Sequence, residues 1–204
     1  MDTAPLSRKE EIWLACRPKT CCAAVVIPSG RDIWRIARAL GTPPWSFLVY
    51  FPTPTPRRDA FILDTSGRRF RIALAKQPSR RTVTPPPCIF LLRTGAGSHR
   101  CGLGANRPLA CQAFPARLVG EVLCLDPRGC TCRAWSLADV DIAHERALAA
   151  RCQAEAEEYI AVVEAWNRRV AAGAAGPHPD FIAYCDYLLH TYDALAAGDE
   201  GGRA

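Results

Sequence analysis

The chain has 204 residues, of which 49% are apolar and 23% charged, and a formal net charge of +6. This length and composition allow a buried core, which excludes a wholly disordered protein, although the final "GDEGGRA" is expected to be a loose tail. No run of about 18 apolar residues occurs, which excludes a membrane-spanning helix, and the early "IWLA" is too short for a signal-peptide core. We therefore expect a soluble cytoplasmic protein.

Basic and acidic side chains are distributed unevenly along the chain. Residues 1–138 contain 21 Lys or Arg and 8 Asp or Glu, whereas residues 139–204 contain 5 and 12. This division predicts two oppositely charged parts that dock on each other. The arginines between positions 57 and 81 lack interleaved aromatic residues and match no groove-reading motif, which argues against a nucleic-acid partner.

The first predicted element is a helix over residues 29–41, "SGRDIWRIARALG". Ser29 is a capping residue, apolar residues recur at helical spacing, and Gly41 ends the helix before two prolines. Residues 45–51 suit either a short second helix or a buried strand, before the extended connector "PTPTP". Residues 60–75 contain two apolar runs around "DTSGR", which predicts a β-hairpin.

The middle of the chain combines short apolar runs with Gly- and Pro-rich turns. A strand is predicted to start at Cys88, directly after three prolines. Residues 94–108 have the composition of a loop and carry Cys101. The segment "LACQAF" suits one helical turn, and residues 116–126, "ARLVGEVLCLD", suit a strand.

The last third of the chain is predicted to be helical. A capping box at residues 136–139 opens a helix that ends near residues 173–177, and a second helix follows. The two helices form an antiparallel hairpin. Cys152 and Cys185 lie on its inward faces and are expected to be apolar core residues. The remaining residues predicted on these faces are Ala156, Tyr159, Val163, Trp166, Val170, Phe181, Tyr184, Leu188 and Leu195.

Together these elements predict an α+β protein. A small strand region with metal-binding cysteine loops packs against an N-terminal helix and a C-terminal antiparallel helical hairpin. The predicted organisation is a cysteine-cluster domain over residues 1–135, the hairpin over residues 136–197 packed on it, and the tail over residues 198–204.

Eleven cysteines are many for a cytoplasmic chain, and their odd number leaves one thiol over if they pair as disulfides. Nine of them lie within the first 132 residues, in Gly- and Pro-rich turns where core thiols do not usually gather. Thiolates bind soft metals at tetrahedral sites, so this clustering favours a metal centre. The spacings match neither a zinc ribbon nor a ferredoxin, and they leave zinc, iron and an iron–sulfur cluster open.

Five blocks of the sequence carry a resemblance to a known family. They are "CRPKTCC", "SGRDIWRIARALGTPPWSFLVYF", "CIFL", "HRCGLGANRPLACQAFPA" and "CLDPRGC". In this order they resemble the YkgJ-like cysteine-cluster family of zinc- or iron-chelating domains, over about residues 16–132. The likeness is most specific at residues 88–91 and 101–115. The chain departs from the family pattern at Ala15 and Pro18, where the family has its first two cysteines.

Carried over residue by residue, the resemblance implies a set of metal ligands and one further cofactor-binding residue. The implied ligands are Cys21, Cys22, Cys88, Cys101 and Cys111. The cysteines that could replace missing ligands are Cys16, Cys124, Cys130 and Cys132. Arg107 would donate hydrogen bonds to cluster sulfur or to a bound acid.

Three functional hypotheses follow. The first is a protein that binds an iron–sulfur cluster, iron or zinc through its thiolates. The second is a metalloenzyme with an open metal position, because the resemblance extends to a flagellin lysine methylase. The third is an adaptor with a structural zinc and a helical hairpin that binds a protein partner. No hydrolase, phosphate-loop, dinucleotide-binding or zinc-protease motif occurs, and His99 is either a nitrogen ligand or a solvated loop residue.

Overall fold

The computed structural model of the chain describes residues 7–16, 20–78, 86–95, 98–126 and 134–201. Its helices are α1 (Arg8–Ala15), α2 (Thr20–Ala23), α3 (Gly30–Leu40), α4 (Leu109–Ala113), α5 (Ile142–Ala171) and α6 (Phe181–Gly201). Its strands are β1 (Leu48–Pro52), β2 (Phe61–Ile62), β3 (Arg69–Leu74), β4 (Leu91–Arg93), β5 (His99–Cys101), β6 (Ala116–Val119) and β7 (Val122–Leu125). This mixture of helices and small antiparallel sheets, with a helical pair at the C-terminal end, confirms the predicted fold at that level.

The chain divides into two compact units. Unit 1 consists of Met1–Val26 and Lys76–Cys152, and unit 2 consists of Ile27–Ala75 and Gln153–Ala204. Helix α5 therefore belongs to unit 1 at its start and to unit 2 over the rest of its length. The predicted domain boundary at residues 135/136 is not one of these divisions. No described helix is both long enough and apolar enough to cross a membrane.

The sheet of unit 2 has the strand order β1-β3-β2, and both of its pairings are antiparallel. The β2–β3 pairing confirms the hairpin predicted over residues 60–75. Residues 45–51 were predicted to form either a short helix or a strand. They lie partly in the 3₁₀ turn Pro44–Ser46 and mainly in strand β1. Helix α3 was also predicted correctly, with both of its ends. The side chain of Ser29 accepts from the backbone of Asp32 at 3.0 Å, and Gly41 ends the helix at φ +61°.

Aromatic residues of the sheet and of the helical pair form the core of unit 2. The rings of Phe61 and Tyr184 stack with centroids 4.1 Å apart, and Trp166 lies 5.3 Å from Tyr184. The indole of Trp166 donates to the carbonyl of Ile62 at 2.7 Å, and the Asn167 amide pairs with the same strand region. The Trp166 indole and the Asn167 amide therefore have partners in this core, which large apolar side chains fill.

Ion pairs join α3 to the acidic parts of α5 and α6 within unit 2. Arg31 lies 2.8 Å from Glu158, and Arg38 pairs with Asp193. Arg35 contacts both Asp32, at 2.5 Å, and Glu155, at 3.1 Å, and both carboxylates are buried. Basic residues of the first part of the chain thus meet acidic residues of the last part, as the charge distribution predicts.

Unit 1 consists of short elements joined by tight turns. Helix α1 was not predicted, because its eight residues carry little apolar periodicity. The segment over residues 94–108, predicted to be a loop, contains β5, which pairs with β4. The single strand predicted over residues 116–126 is a hairpin of β6 and β7 that turns at Gly120, φ +59°. This positive φ lets the chain reverse its direction in a segment whose residue pattern predicted a single strand.

The helical pair differs from the prediction in three details. The capping box of Ser136 and Asp139 begins a 3₁₀ turn, and α5 starts only at Ile142. Ala156, predicted on the inward seam, is exposed. Leu195 is 37% exposed, because the inward face of α6 follows Tyr184, Leu188 and Tyr192, and Leu195 lies off that line.

Candidate metal centre

The five cysteines implied as ligands come from four separate parts of unit 1. Cys21 and Cys22 lie in α2, Cys88 precedes β4, Cys101 ends β5, and Cys111 lies in α4. Cys22 is within electrostatic reach of Cys21, Cys88 and Cys111, and Cys88 is within reach of Cys101. The fold therefore gathers thiols that are up to 90 positions apart in the sequence.

Backbone contacts hold α2 beside the segment that carries Cys88. The amide of Cys88 donates to the carbonyl of Cys22 at 2.8 Å, and Cys88 forms an antiparallel bridge with Lys76. The ammonium of Lys76 donates to the carbonyls of Cys22 and Ala23 at 3.2 Å each, and also to that of Ala24. Lys76 thus satisfies carbonyls at the end of α2, which have no partner within so short a helix.

The β4–β5 hairpin places Cys101. Cys101 pairs with Leu91, and Leu91 is only three residues after Cys88. The amide of Gly102 donates to the carbonyl of Phe90 at 2.8 Å. The Gln77 side chain donates to the carbonyl of Leu91 at 2.6 Å and to that of Cys88 at 3.2 Å. This amide fixes the turn between Cys88 and the hairpin.

Burial and nearby thiols raise the pKa values of Cys22, Cys88 and Cys101. The hydrogen bond with Cys21, then burial, then the like charges of neighbouring thiols raise the pKa of the Cys22 thiol well above its ordinary value. Burial raises the pKa of Cys88, against the opposing effects of the Phe90 backbone and the Lys76 ammonium. Burial also raises the pKa of Cys101 and lowers that of Lys76. Ionising several of these thiols together therefore requires a compensating cation.

As placed, these thiols do not form a coordination shell. Within the described ranges, no three or more Cys, His, Asp or Glu residues are arranged so that they could hold a metal ion. The structure brings the thiols into one region, and a metal would have to draw them closer together.

The other cysteines in the predicted set have different positions. Cys16 caps the end of α1, is 3% exposed and is disulfide-bonded, so its sulfur is not a thiolate donor in this form. Cys124 is a half-buried free thiol in β7, opposite Arg117. Cys130 and Cys132 lie outside the described residues.

His99 and Arg107 both lie near the thiols. His99 and Cys101 share one face of β5, and Nδ1 of His99 is buried without a hydrogen-bond partner. Arg107 lies 3.6 Å from Glu10 and 5.7 Å from the centre of the Trp13 ring, and its charge opposes the rise in the pKa of Cys101. Lys76 and Gln77 are the functional candidates that the sequence reading missed. Their role comes from contacts with carbonyls, and the local sequence around them carries no motif for it.

Cys111 lines a cleft of about 580 Å³ in unit 1, together with residues of α1, α4 and the start of α5. Trp13, Phe114 and Trp135 supply aromatic surface to this cleft. One residue of the thiol group is thus also part of a cavity large enough for a small molecule. Comparison of the chain with protein-family models, curated proteins and solved structures finds no match in any of the three.

Proposed function

We propose that this protein binds a thiophilic metal centre, either an iron–sulfur cluster, iron or zinc, through cysteine thiolates of unit 1. The residues that would hold it are Cys21, Cys22, Cys88 and Cys111, with Cys101 as an additional donor. The observation that carries the proposal is the convergence of these thiols from four separate elements on one region. Free cysteines that only fill an apolar core have no reason to gather in this way.

The chemistry of the surroundings supports a metal and not a set of disulfides. Cys22, Cys88 and Cys101 are free thiols, and the adjacent Cys21 and Cys22 are joined by a hydrogen bond. Neutral thiols in mutual reach gain little from one another, whereas a soft cation would convert them to thiolates and remove the like-charge penalty.

Two basic side chains would reduce the negative charge of a thiolate centre. Lys76 is within electrostatic reach of Cys22, Cys88 and Cys111, and Arg107 is within reach of Cys101. A divalent ion with four thiolates carries a net negative charge, which nearby cations offset. Arg107 would serve the centre in this way, consistent with the cofactor-binding role that the family resemblance implies.

A metal assay on protein purified without oxygen tests the proposal. We expect stoichiometric iron or zinc, with visible absorbance and acid-labile sulfide if the occupant is an iron–sulfur cluster. Cys22→Ser and Cys111→Ser should each lose most of the metal. Cys185→Ala, a change in unit 2, should keep it, as should Cys152→Ala in α5. Metal-free wild-type protein, or full metal in both serine variants, would refute the proposal.

A cobalt titration tests the ligands even in variants of which only part folds. Co²⁺ added to reduced wild-type protein should give the near-ultraviolet charge-transfer absorption of a cobalt–thiolate bond. The Cys88→Ser variant should give a weaker signal at equal folded concentration, as measured by circular dichroism. An unchanged signal would remove Cys88 from the ligand set.

A metalloenzyme is the second candidate, favoured by the position of Cys111 on the wall of the 580 Å³ cleft. A metal held there with an open position would be reachable by a substrate in the cleft and could act as a Lewis acid or an electron carrier. The inward face of α6 does not support the adaptor hypothesis, because Tyr184, Leu188 and Tyr192 are buried within unit 2.

A further inference from the structure

The cleft of unit 1 has features of a binding site in addition to its volume. Trp13 from α1, Phe114 after α4 and Trp135 before α5 line it, and Phe114 meets Trp135 edge to face with centroids 6.2 Å apart. Its volume of about 580 Å³ lies within the range of small-molecule pockets. Aromatic rings of this kind favour a flat apolar ligand.

Two polar atoms of the lining residues are buried without a hydrogen-bond partner. One is Oε2 of Glu145, a residue that is 2% exposed, and the other is the indole nitrogen of Trp135. The ammonium of Lys9 pairs with the other oxygen of Glu145 and donates to the carbonyl of Gln112 at 2.7 Å. A buried polar atom without a partner is destabilising, so an acceptor and a donor that both lack one are unusual in a wall with no ligand.

Two of the carboxylates that line the cleft are ion-paired, and a third accepts hydrogen bonds. Glu145 pairs with Lys9, and Glu10 pairs with Arg107 at 3.6 Å. The Asp139 carboxylate accepts from the backbone and the hydroxyl of Ser136, at 3.0 and 2.9 Å. A ligand with a net charge would disturb these pairs, whereas a neutral one leaves them intact.

We propose that this cleft binds a small, neutral, planar aromatic molecule with an N–H or O–H donor for Glu145 and an acceptor for the Trp135 indole. The aromatic walls receive the ring, and a small rotation of the Glu145 and Trp135 side chains would turn the two unpartnered atoms, which are fully buried, toward its polar edge. Cys111 on the same wall places the molecule beside the thiols. Binding of such a molecule would be a function in addition to metal binding, and it does not depend on which metal the thiols hold.

Ligand-observed NMR on the full chain tests the site with three probes of similar size. Adenine and benzamide are neutral, planar and carry both a donor and an acceptor, whereas benzylamine is a cation at neutral pH. We expect at least one neutral probe to bind with a Kd below about 1 mM, and more tightly than benzylamine. Binding of neither neutral probe, or preference for the cation, would overturn the proposal.

Two substitutions in the cleft and two matched controls locate the binding. Glu145→Gln and Trp135→Phe should each weaken the bound probe, by about tenfold for Glu145→Gln, since the first replaces a carboxylate oxygen at nearly the same shape and the second removes the indole N–H together with part of the ring. Glu157→Gln, an exposed position of the same helix, and Trp45→Phe in unit 2 should not. Trp135→Phe keeps the test valid if loss of the Lys9 pair unfolds the Glu145 variant. Equal affinity in both cleft variants would contradict the proposal.

The metal content of each sample separates this inference from the proposed function. Probe binding by metal-free protein would refute only the metal centre, and metal-loaded protein that binds no probe would refute only the cleft.

Discussion

Unit 1 and unit 2 bury their residues in different ways. Of the described apolar side chains that are buried, nine lie in unit 1 and nineteen in unit 2. The buried aromatic rings of Phe61, Trp166 and Tyr184 are all in unit 2, where Tyr184 contacts the other two. Among the described residues, unit 1 instead places mostly half-buried thiols and three unpartnered polar atoms among short elements, against one such atom, the Tyr192 hydroxyl, in unit 2. Packing alone accounts for unit 2, whereas unit 1 has a smaller apolar core, which the proposed metal would supplement.

The largest expected effect is that of metal removal, and it should fall on unit 1. If the thiols hold a metal, its presence at about 1,000 times its Kd stabilises the bound state by about 4 kcal/mol. A chelator should therefore speed hydrogen exchange in β4, β5 and α4. Helices α3 and α6 should keep their protection, which mass spectrometry of peptides would measure. If the chelator speeds hydrogen exchange equally in both units, or in neither, the two units do not differ in their dependence on a metal.

Phe61→Ala should destabilise unit 2 and leave the metal centre of unit 1 unchanged. Phe61 is fully buried and stacks on Tyr184, so its loss should lower the free energy of unfolding by about 3–5 kcal/mol, measured with denaturant. The metal content of the folded fraction should not change. Tyr50→Ala is the control, because Tyr50 is 45% exposed and its removal should have a smaller effect. Comparable losses at the two positions would mean that the stacked rings do not dominate unit 2.

Gly30→Ala tests the fit between α3 and α6 inside unit 2. A Cβ at Gly30 would overlap the ring of Tyr192, which is buried, so we expect a loss of about 1–3 kcal/mol in thermal or denaturant unfolding. Gly198→Ala in α6 is a matched helical control with open space around it, and it should be neutral or stabilising by up to about 1 kcal/mol. The reverse order would show that Tyr192 moves aside at little cost.

The smallest effect concerns the pH dependence of the metal-free protein. The pKa values of Cys22, Cys88 and Cys101 are raised above the ordinary 9.0, so the native state binds protons more tightly than the unfolded chain. Their contribution to stability is complete below about pH 9 and is lost as pH rises through the native pKa values. Iodoacetamide should label these residues slowly at pH 8 and faster at pH 10, as read by mass spectrometry. Fast labelling at pH 8 in folded, metal-free protein would show that these thiols are neither buried nor raised in pKa.

Local signals in the sequence were sufficient where one short segment determines its own structure. The Ser29 capping box and Gly41 delimit α3 because caps act within three or four residues. The hairpin over residues 116–126 was missed, since a single glycine at position 120 reverses a run that otherwise reads as one strand. Strand β5 was missed for a related reason: three residues in a glycine-rich segment become a strand only by pairing with β4.

The candidate site was predictable in its residue types but not in its arrangement. Cysteine clustering pointed to thiols in one region, but the hydrogen bond from the amide of Cys88 to the carbonyl of Cys22 joins segments 66 positions apart. The roles of Lys76 and Glu145 also depend on such long-range contacts. Tertiary pairing decides these features, and local propensity does not encode it.

X-ray absorption spectroscopy of protein purified without oxygen tests the central claim, that the unit 1 thiols meet at one metal. We predict an iron or zinc edge whose first shell is mainly sulfur, at about 2.3 Å. In the Cys22→Ser and Cys111→Ser variants, the sulfur contribution should fall. A shell made only of nitrogen and oxygen, or protein that carries no metal, would contradict the account.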